Sequence, residues 1–237
     1  MTELLYTTDS YVKEFEARVV AHVDGGVVLD RTAFYPGGGG QPGDVGTLSA
    51  GAAEWSVKAV KKVDGLPAHF IDSDLPPLGA AVVGRLDWSR RYALMRTHTA
   101  LHILCGVVFR DYGAQVTGGN MDPLQGRMDF EFETMRQELV AAIEEAVNAE
   151  VAAARPVRVR ILPRDEAFAI PDLIRTKINL LPEGIAEVRT VELVGLDLQA
   201  DGGTHVANTG EVGRVRVVDY KSKGKINKRI YIELAEK

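Results

Sequence analysis

The stretch Asp87-Trp88-Ser89-Arg90-Arg91-Tyr92-Ala93-Leu94-Met95-Arg96-Thr97-His98-Thr99-Ala100-Leu101-His102 is where the pattern of this chain changes. Upstream, short apolar runs alternate with turn residues. From Trp88 on, Leu94, Leu101 and Val108 recur at helical spacing until Gly113. The Asp87 carboxylate can accept from the unpaired N–H groups of a first helical turn, so the pattern predicts a helix from Trp88 to about Tyr112. Within it His98 and His102 are four residues apart, which puts both imidazoles on one face, about 6 Å apart at the backbone. Two such rings can share one metal ion. A zinc protease helix would need Glu after the first histidine as its base, and Thr99 there disfavours that chemistry.

Outward from this helix the two sides differ. Upstream, Val12 to His22 and Val27 to Asp30 are strand-like runs joined through Asp24-Gly25-Gly26, which is hairpin chemistry. A glycine-rich block, Tyr35-Pro36-Gly37-Gly38-Gly39-Gly40-Gln41-Pro42-Gly43, follows, and strand-like segments continue to Val83. Downstream, Thr134 and Gln137 have capping-box spacing, and Met135, Leu139, Ile143, Val147 and Val151 form an apolar stripe that ends before Pro156. Strands are expected at Val157 to Leu162, Val188 to Val194, Val212 to Val218 and Ile230 to Leu234, with a short helix near Arg164 to Ile170. The fold class is therefore α+β: a β-rich, barrel-like module over residues 1–86, then an α+β domain over 87–237.

Composition narrows the function classes. The 237 residues are 46% hydrophobic with a formal net charge of −5, ordinary for a soluble globular protein. No apolar run approaches the roughly 20 residues that span a bilayer, so a cytoplasmic protein without membrane contact is expected. The single cysteine, Cys105, excludes an internal disulfide framework. The charge is unevenly spread. Arg214 to Arg229 holds seven basic residues and one acidic residue, and Lys221, Lys223, Lys225, Lys228 and Arg229 cluster around Gly224 in an expected hairpin. That concentration points to phosphate, and hence to RNA.

The second half of a metal site lies a hundred residues beyond the first, in Asp201-Gly202-Gly203-Thr204-His205. The paired glycines can bring a carboxylate and an imidazole up to one ion. Three histidines with Asp201 would close a tetrahedron, whereas His98, His102 and His205 alone would leave a position for water. Cys105 lies about 10 Å along the helix from His98, too far to share the ion, and reads as core. His22 and His69 lack partners at ligand spacing and read as structural or surface residues.

These residues resemble a known family. Arg96-Thr97-His98-Thr99-Ala100-Leu101-His102 is similar to the HxxxH motif of the alanyl-tRNA synthetase editing domain, and Gly202 to Gly210 is similar to its second zinc motif. Asp30 to Pro36 leading into Gly39-Gly40-Gln41, the run Asp87 to Arg91, and the tail from Lys221 to Arg229 also resemble blocks of the free-standing AlaX editing proteins, in the same order. The resemblance covers most of the chain, from about Val12 to Leu234. It implies a domain shared with threonyl-tRNA synthetase, one zinc ion, and hydrolysis in trans of tRNA(Ala) wrongly charged with serine, in some members glycine. It also implies Thr117 as the contact that reads the serine hydroxyl, with Gln41 as a second candidate. One position departs from the pattern: the family commonly has Cys four residues before the last histidine, and Asp201 stands there. Carboxylate is a harder ligand than thiolate and holds zinc less tightly. Two rival readings are a zinc hydrolase of another ester and a non-catalytic, zinc-stabilised RNA-binding module.

Overall fold

Strict alternation in Glu14-Phe15-Glu16-Ala17-Arg18-Val19 makes a strand with one wet face and one dry face: Phe15, Ala17 and Val19 are buried and the residues between them exposed. In the computed structural model, which describes residues 2–176, 181 and 184–236, the chain divides into two units, Met1–Tyr92 and Ala93–Lys237. The first begins with β1 (Glu3–Leu4), β2 (Glu14–Val23), β3 (Gly26–Leu29) and β4 (Arg31–Thr32), and continues with β5 (Gly46–Ala50), β6 (Ala53–Val63), β7 (Leu66–Ile71) and β8 (Ala81–Leu86). β1 and β4 pair in parallel. The others close a barrel in the order β2-β3-β7-β6-β5-β8, filled by Phe15, Val19, Leu29, Phe34, Leu48, Val57, Ile71 and Val82. Full burial of each such side chain contributes roughly 1.5–3 kcal/mol.

The glycine block lies in this unit. Gly38 and Gln41 exchange backbone hydrogen bonds of 3.0 and 2.9 Å, and the Tyr35 hydroxyl donates to Gly38 O. Asp44 anchors the block's base: its carboxylate accepts from Tyr35 N and from the fully buried guanidinium of Arg91, which also donates to Ser10 O and Ala33 O.

Helix α1 (Trp88–Tyr112) begins as expected, with Arg90 N donating to Asp87 Oδ1. It ends at Gly113, whose φ of +65° an L side chain rarely adopts. Every residue from Leu94 to Val108 is buried, so this is a helix enclosed on all sides. In the second unit it is followed by β9 (Val116–Asp122), β10 (Gln125–Glu131), α2 (Gln137–Ala152), β11 (Val157–Pro163), α3 (Arg164–Phe168), β12 (Glu187–Leu193), β13 (Asp197–Ala200), β14 (Val215–Ser222) and β15 (Asn227–Leu234). Two antiparallel sheets result, β14-β15-β10-β9 and β11-β12-β13.

The expected start of α2 is corrected. Thr134 and Gln137 make no capping box; the helix starts at Gln137 with Arg136 as an N-cap that makes no side-chain bond. Its buried face is Val140, Ile143, Val147, Glu150 and Val151. Met135 precedes the helix and Leu139 is turned a step away from the core, because 140, 143, 147 and 151 follow the 3.6-residue period more closely.

Candidate metal centre

Two segments supply the site, and each is fixed by its neighbours. On α1 the residues flanking His98 are tied down. Arg96, buried, donates to Val212 O and Ala235 O, and the Thr97 hydroxyl accepts from Leu124 N while donating to Ala93 O. The loop after β13 is pinned by an Asx turn, Gly203 N to Asp201 Oδ2 at 2.8 Å. Arg189 Nη1 donates to Asp201 O at 2.8 Å, and Val206 N donates to the Thr99 hydroxyl.

These tethers bring His98, His102, Asp201 and His205 together. One donor atom from each lies within 4.8 Å of all the others. The three histidines are nearly inaccessible, at 3–5% exposure, with ring centroids 4.2 Å (His98–His205), 4.7 Å (His102–His205) and 5.1 Å (His98–His102) apart. Asp201 Oδ2 is 3.0 Å from His205 Nε2, and Oδ1 is 3.6 Å from His98 Nε2.

The charge states of His98, His205 and Asp201 suit ligation, while His102 is pulled the other way by its outer carboxylate partner. Burial holds His98 well below the ordinary histidine value, against the pull of Asp201. Burial likewise pushes His205 down to about 4, against its bond to Asp201. Burial alone would raise Asp201, but the adjacent His98 and His205 hold its carboxyl well below the usual range. Burial alone would lower His102, yet the hydrogen bond and charge of Asp197 carry it upward. Metal ligands must present lone pairs, which neutral imidazoles and an ionised carboxylate do. The outer contacts fit as well. Nδ1 of His102 is bonded to Asp197 Oδ2 and Nδ1 of His205 to the Thr99 hydroxyl, both at 3.1 Å, which turns Nε2 of each ring inward as ligating histidines require. The donor set fits a metal ion.

A family model described as "Threonyl and Alanyl tRNA synthetase second additional domain" matches residues 188–231, the segment that carries Asp201 and His205. A second, "tRNA synthetases class II (A)", matches residues 5–90. The chain is 43% identical to the alanyl-tRNA editing protein AlaX-M of Saccharolobus solfataricus, over 98% of both chains. It is 41% identical to the AlaX-M protein of Methanosarcina barkeri over the full length of both.

This chain belongs to the AlaX-M family.

It is also 40% identical to the alanine–tRNA ligase of Pyrobaculum aerophilum, over 91% of this chain and 25% of that protein. In this AlaX-M chain the other expected site residues are not members of the four-residue cluster. Thr117 is exposed on β9 and donates to Asn227 Oδ1 at 3.0 Å. Gln41 is buried in the glycine block of the first unit. In the β14–β15 hairpin Lys221, Lys223 and Lys225 are exposed, Lys221 beside Asp219 at 2.9 Å. Lys228 is buried with its ammonium on Gly224 O and Lys225 O, both at 2.8 Å. Arg229 forms a two-toothed pair with Asp129 at 2.6 and 2.8 Å.

Four residues around the site have no signal in the sequence. Thr99 serves there only to disfavour a protease, yet its hydroxyl touches His205. Arg189, Asp197 and Gln199 are ordinary strand residues until β12 and β13 pair. Cys105 is buried, and that burial pushes its thiol far above the ordinary range, which fits its reading as core. No described helix is long and apolar enough to cross a membrane.

Proposed function

We propose that this chain is a trans-acting editing hydrolase that deacylates tRNA(Ala) mischarged with serine, and also with glycine, at His98, His102, Asp201 and His205 with one zinc ion held between them. The observation that carries this reading is the convergence of three buried imidazoles and the half-buried Asp201 carboxylate in a chain that aligns end to end with alanyl-tRNA editing proteins. Three imidazoles and a carboxylate are a tetrahedral nitrogen and oxygen set suited to zinc. Bound there, zinc supplies Lewis acidity and a fixed positive charge.

The chain's own residues then have separate tasks. In the net reaction water adds to the ester carbonyl carbon and the bond to the terminal ribose oxygen breaks, releasing free amino acid and tRNA. The Thr117 hydroxyl, which donates to Asn227, keeps lone pairs to accept from a serine hydroxyl. A site built to bond that hydroxyl discriminates against alanine far better than an apolar pocket rejects an added hydroxyl. We assign phosphate contact to Lys221, Lys223 and Lys225, with Lys228 shaping the loop that carries them. The substrate is found where tRNA is charged, which fits the cytoplasm.

The test is deacylation of purified Ser-, Gly- and Ala-tRNA(Ala). The seryl ester is expected to disappear fastest and the alanyl ester to be spared. Loss of no ester above the buffer background overturns the proposal.

A further inference from the structure

We propose that Asp197 is the positioning residue of the metal centre, a buried carboxylate that fixes the tautomer of His102 and aims its Nε2 into the cluster. The inference rests on the metal reading proposed above. Asp197 opens β13 with a side chain sealed from solvent, an expensive place for a carboxylate unless it is well bonded. Its Oδ2 meets His102 Nδ1 at 3.1 Å and Gln199 Nε2 at 2.7 Å. Its Oδ1 faces Arg175 Nε at 3.5 Å, and that guanidinium lies 3.8 Å from the Phe109 ring centroid. Gln199 is itself steadied on Cys105 Sγ at 3.3 Å.

The helix is shaped to admit this group. At Gly106 a Cβ atom would stand 2.8 Å from Leu196 Cγ and 3.1 Å from Asp197 Cβ, so the turn that presents Asp197 approaches α1 only where α1 lacks a side chain. Chemistry then settles the proton. A carboxylate oxygen accepts from a ring N–H, so when Nε2 of His102 presents its lone pair, Nδ1 carries the hydrogen that Asp197 Oδ2 accepts. Thr99, the corresponding partner of His205, has a hydroxyl that can either donate or accept, and imposes no such choice. Asp197 is thus the outer contact that dictates a ligand's orientation instead of merely tolerating it.

The experiment uses the full chain. Zinc content of the wild type is measured first; a wild-type chain that takes up no zinc overturns the metal reading and this inference with it. Imidazole 15N spectra of the metal-free wild type, at a pH where the rings are neutral, should show His102 protonated on Nδ1; protonation on Nε2 overturns the assignment without any variant. Asp197→Asn should mix the tautomers and weaken zinc binding about 10- to 100-fold in chelator competition. Zinc affinity within about twofold of wild type would reduce Asp197 to a structural ion pair. Should Asp197→Asn fail to fold, the wild-type spectrum decides.

Discussion

Two buried histidine environments in this molecule look alike by exposure and are opposites in chemistry. His69, in the barrel, uses both ring nitrogens locally: Nδ1 donates to Val27 O and Nε2 accepts from the Thr32 hydroxyl. That hydroxyl in turn accepts from Phe34 N, and Phe34 packs edge-on against the ring. Nothing is left over for a ligand. In the second unit three rings crowd within about 5 Å of one another, with the Nδ1 atoms of His102 and His205 occupied by outer partners and donor atoms of all three converging on Asp201. Burial of a histidine therefore says little, and the destination of its second nitrogen says most of what matters.

The comparison breaks most sharply under substitution. His98→Ala or His205→Ala should abolish stoichiometric zinc and lower deacylation roughly 100-fold or more, measured by metal analysis and ester hydrolysis on the same sample. His69→Ala should leave zinc and turnover per folded molecule intact while costing about 2–4 kcal/mol in denaturant unfolding, because it opens a cavity and strands the Thr32 hydroxyl. Equal loss of zinc in both variants would erase the distinction.

The barrel histidine also predicts a pH dependence. Burial pushes His69 down to about 4, against its backbone bond to Val27. Its unfolded value is near 6.5, so the unfolded chain binds the proton first as pH falls. Stability from this group is full above 6.5 and drops by about 1.4 kcal/mol per pH unit toward 4, about 3 kcal/mol altogether. The unfolding free energy of His69→Gln should follow pH less steeply through that window; an unchanged slope would assign the effect elsewhere.

A smaller effect separates the cations of the basic hairpin. Lys223→Gln with Lys225→Gln should raise KM for charged tRNA several-fold and leave kcat unchanged. The salt dependence should flatten by about one unit of log–log slope for each phosphate that is no longer neutralised. Lys228→Gln should instead loosen the loop, since its ammonium serves Gly224 O and Lys225 O. Identical salt slopes for wild type and the double variant would leave the hairpin no role in RNA binding.

Local signals made some of this legible in the sequence. Alternation wrote β2, and Asp87 and Gly113 wrote both ends of α1, because strand faces and helix caps are decided within a few residues. His98 and His102 were readable because one helix face holds both. The hairpin of β9 and β10 was not. The paired glycines of Thr117-Gly118-Gly119 favour a turn, and the segment is a strand because β9 pairs with β10, itself paired with β15 a hundred residues later. Asp197 was hidden for the same reason, since only the pairing of β13 with β12 and the notch at Gly106 bring it to His102. Capping-box spacing at Thr134 was a local signal that the fold did not use.

The convergent histidines and Asp201 are proposed to hold zinc for ester hydrolysis. The direct test is the rate of Ser-tRNA(Ala) deacylation measured against bound zinc as a chelator removes the metal. The rate should fall in proportion to occupancy, vanish with the last of the zinc and return on its restoration. Undiminished hydrolysis by a zinc-free chain would contradict the account.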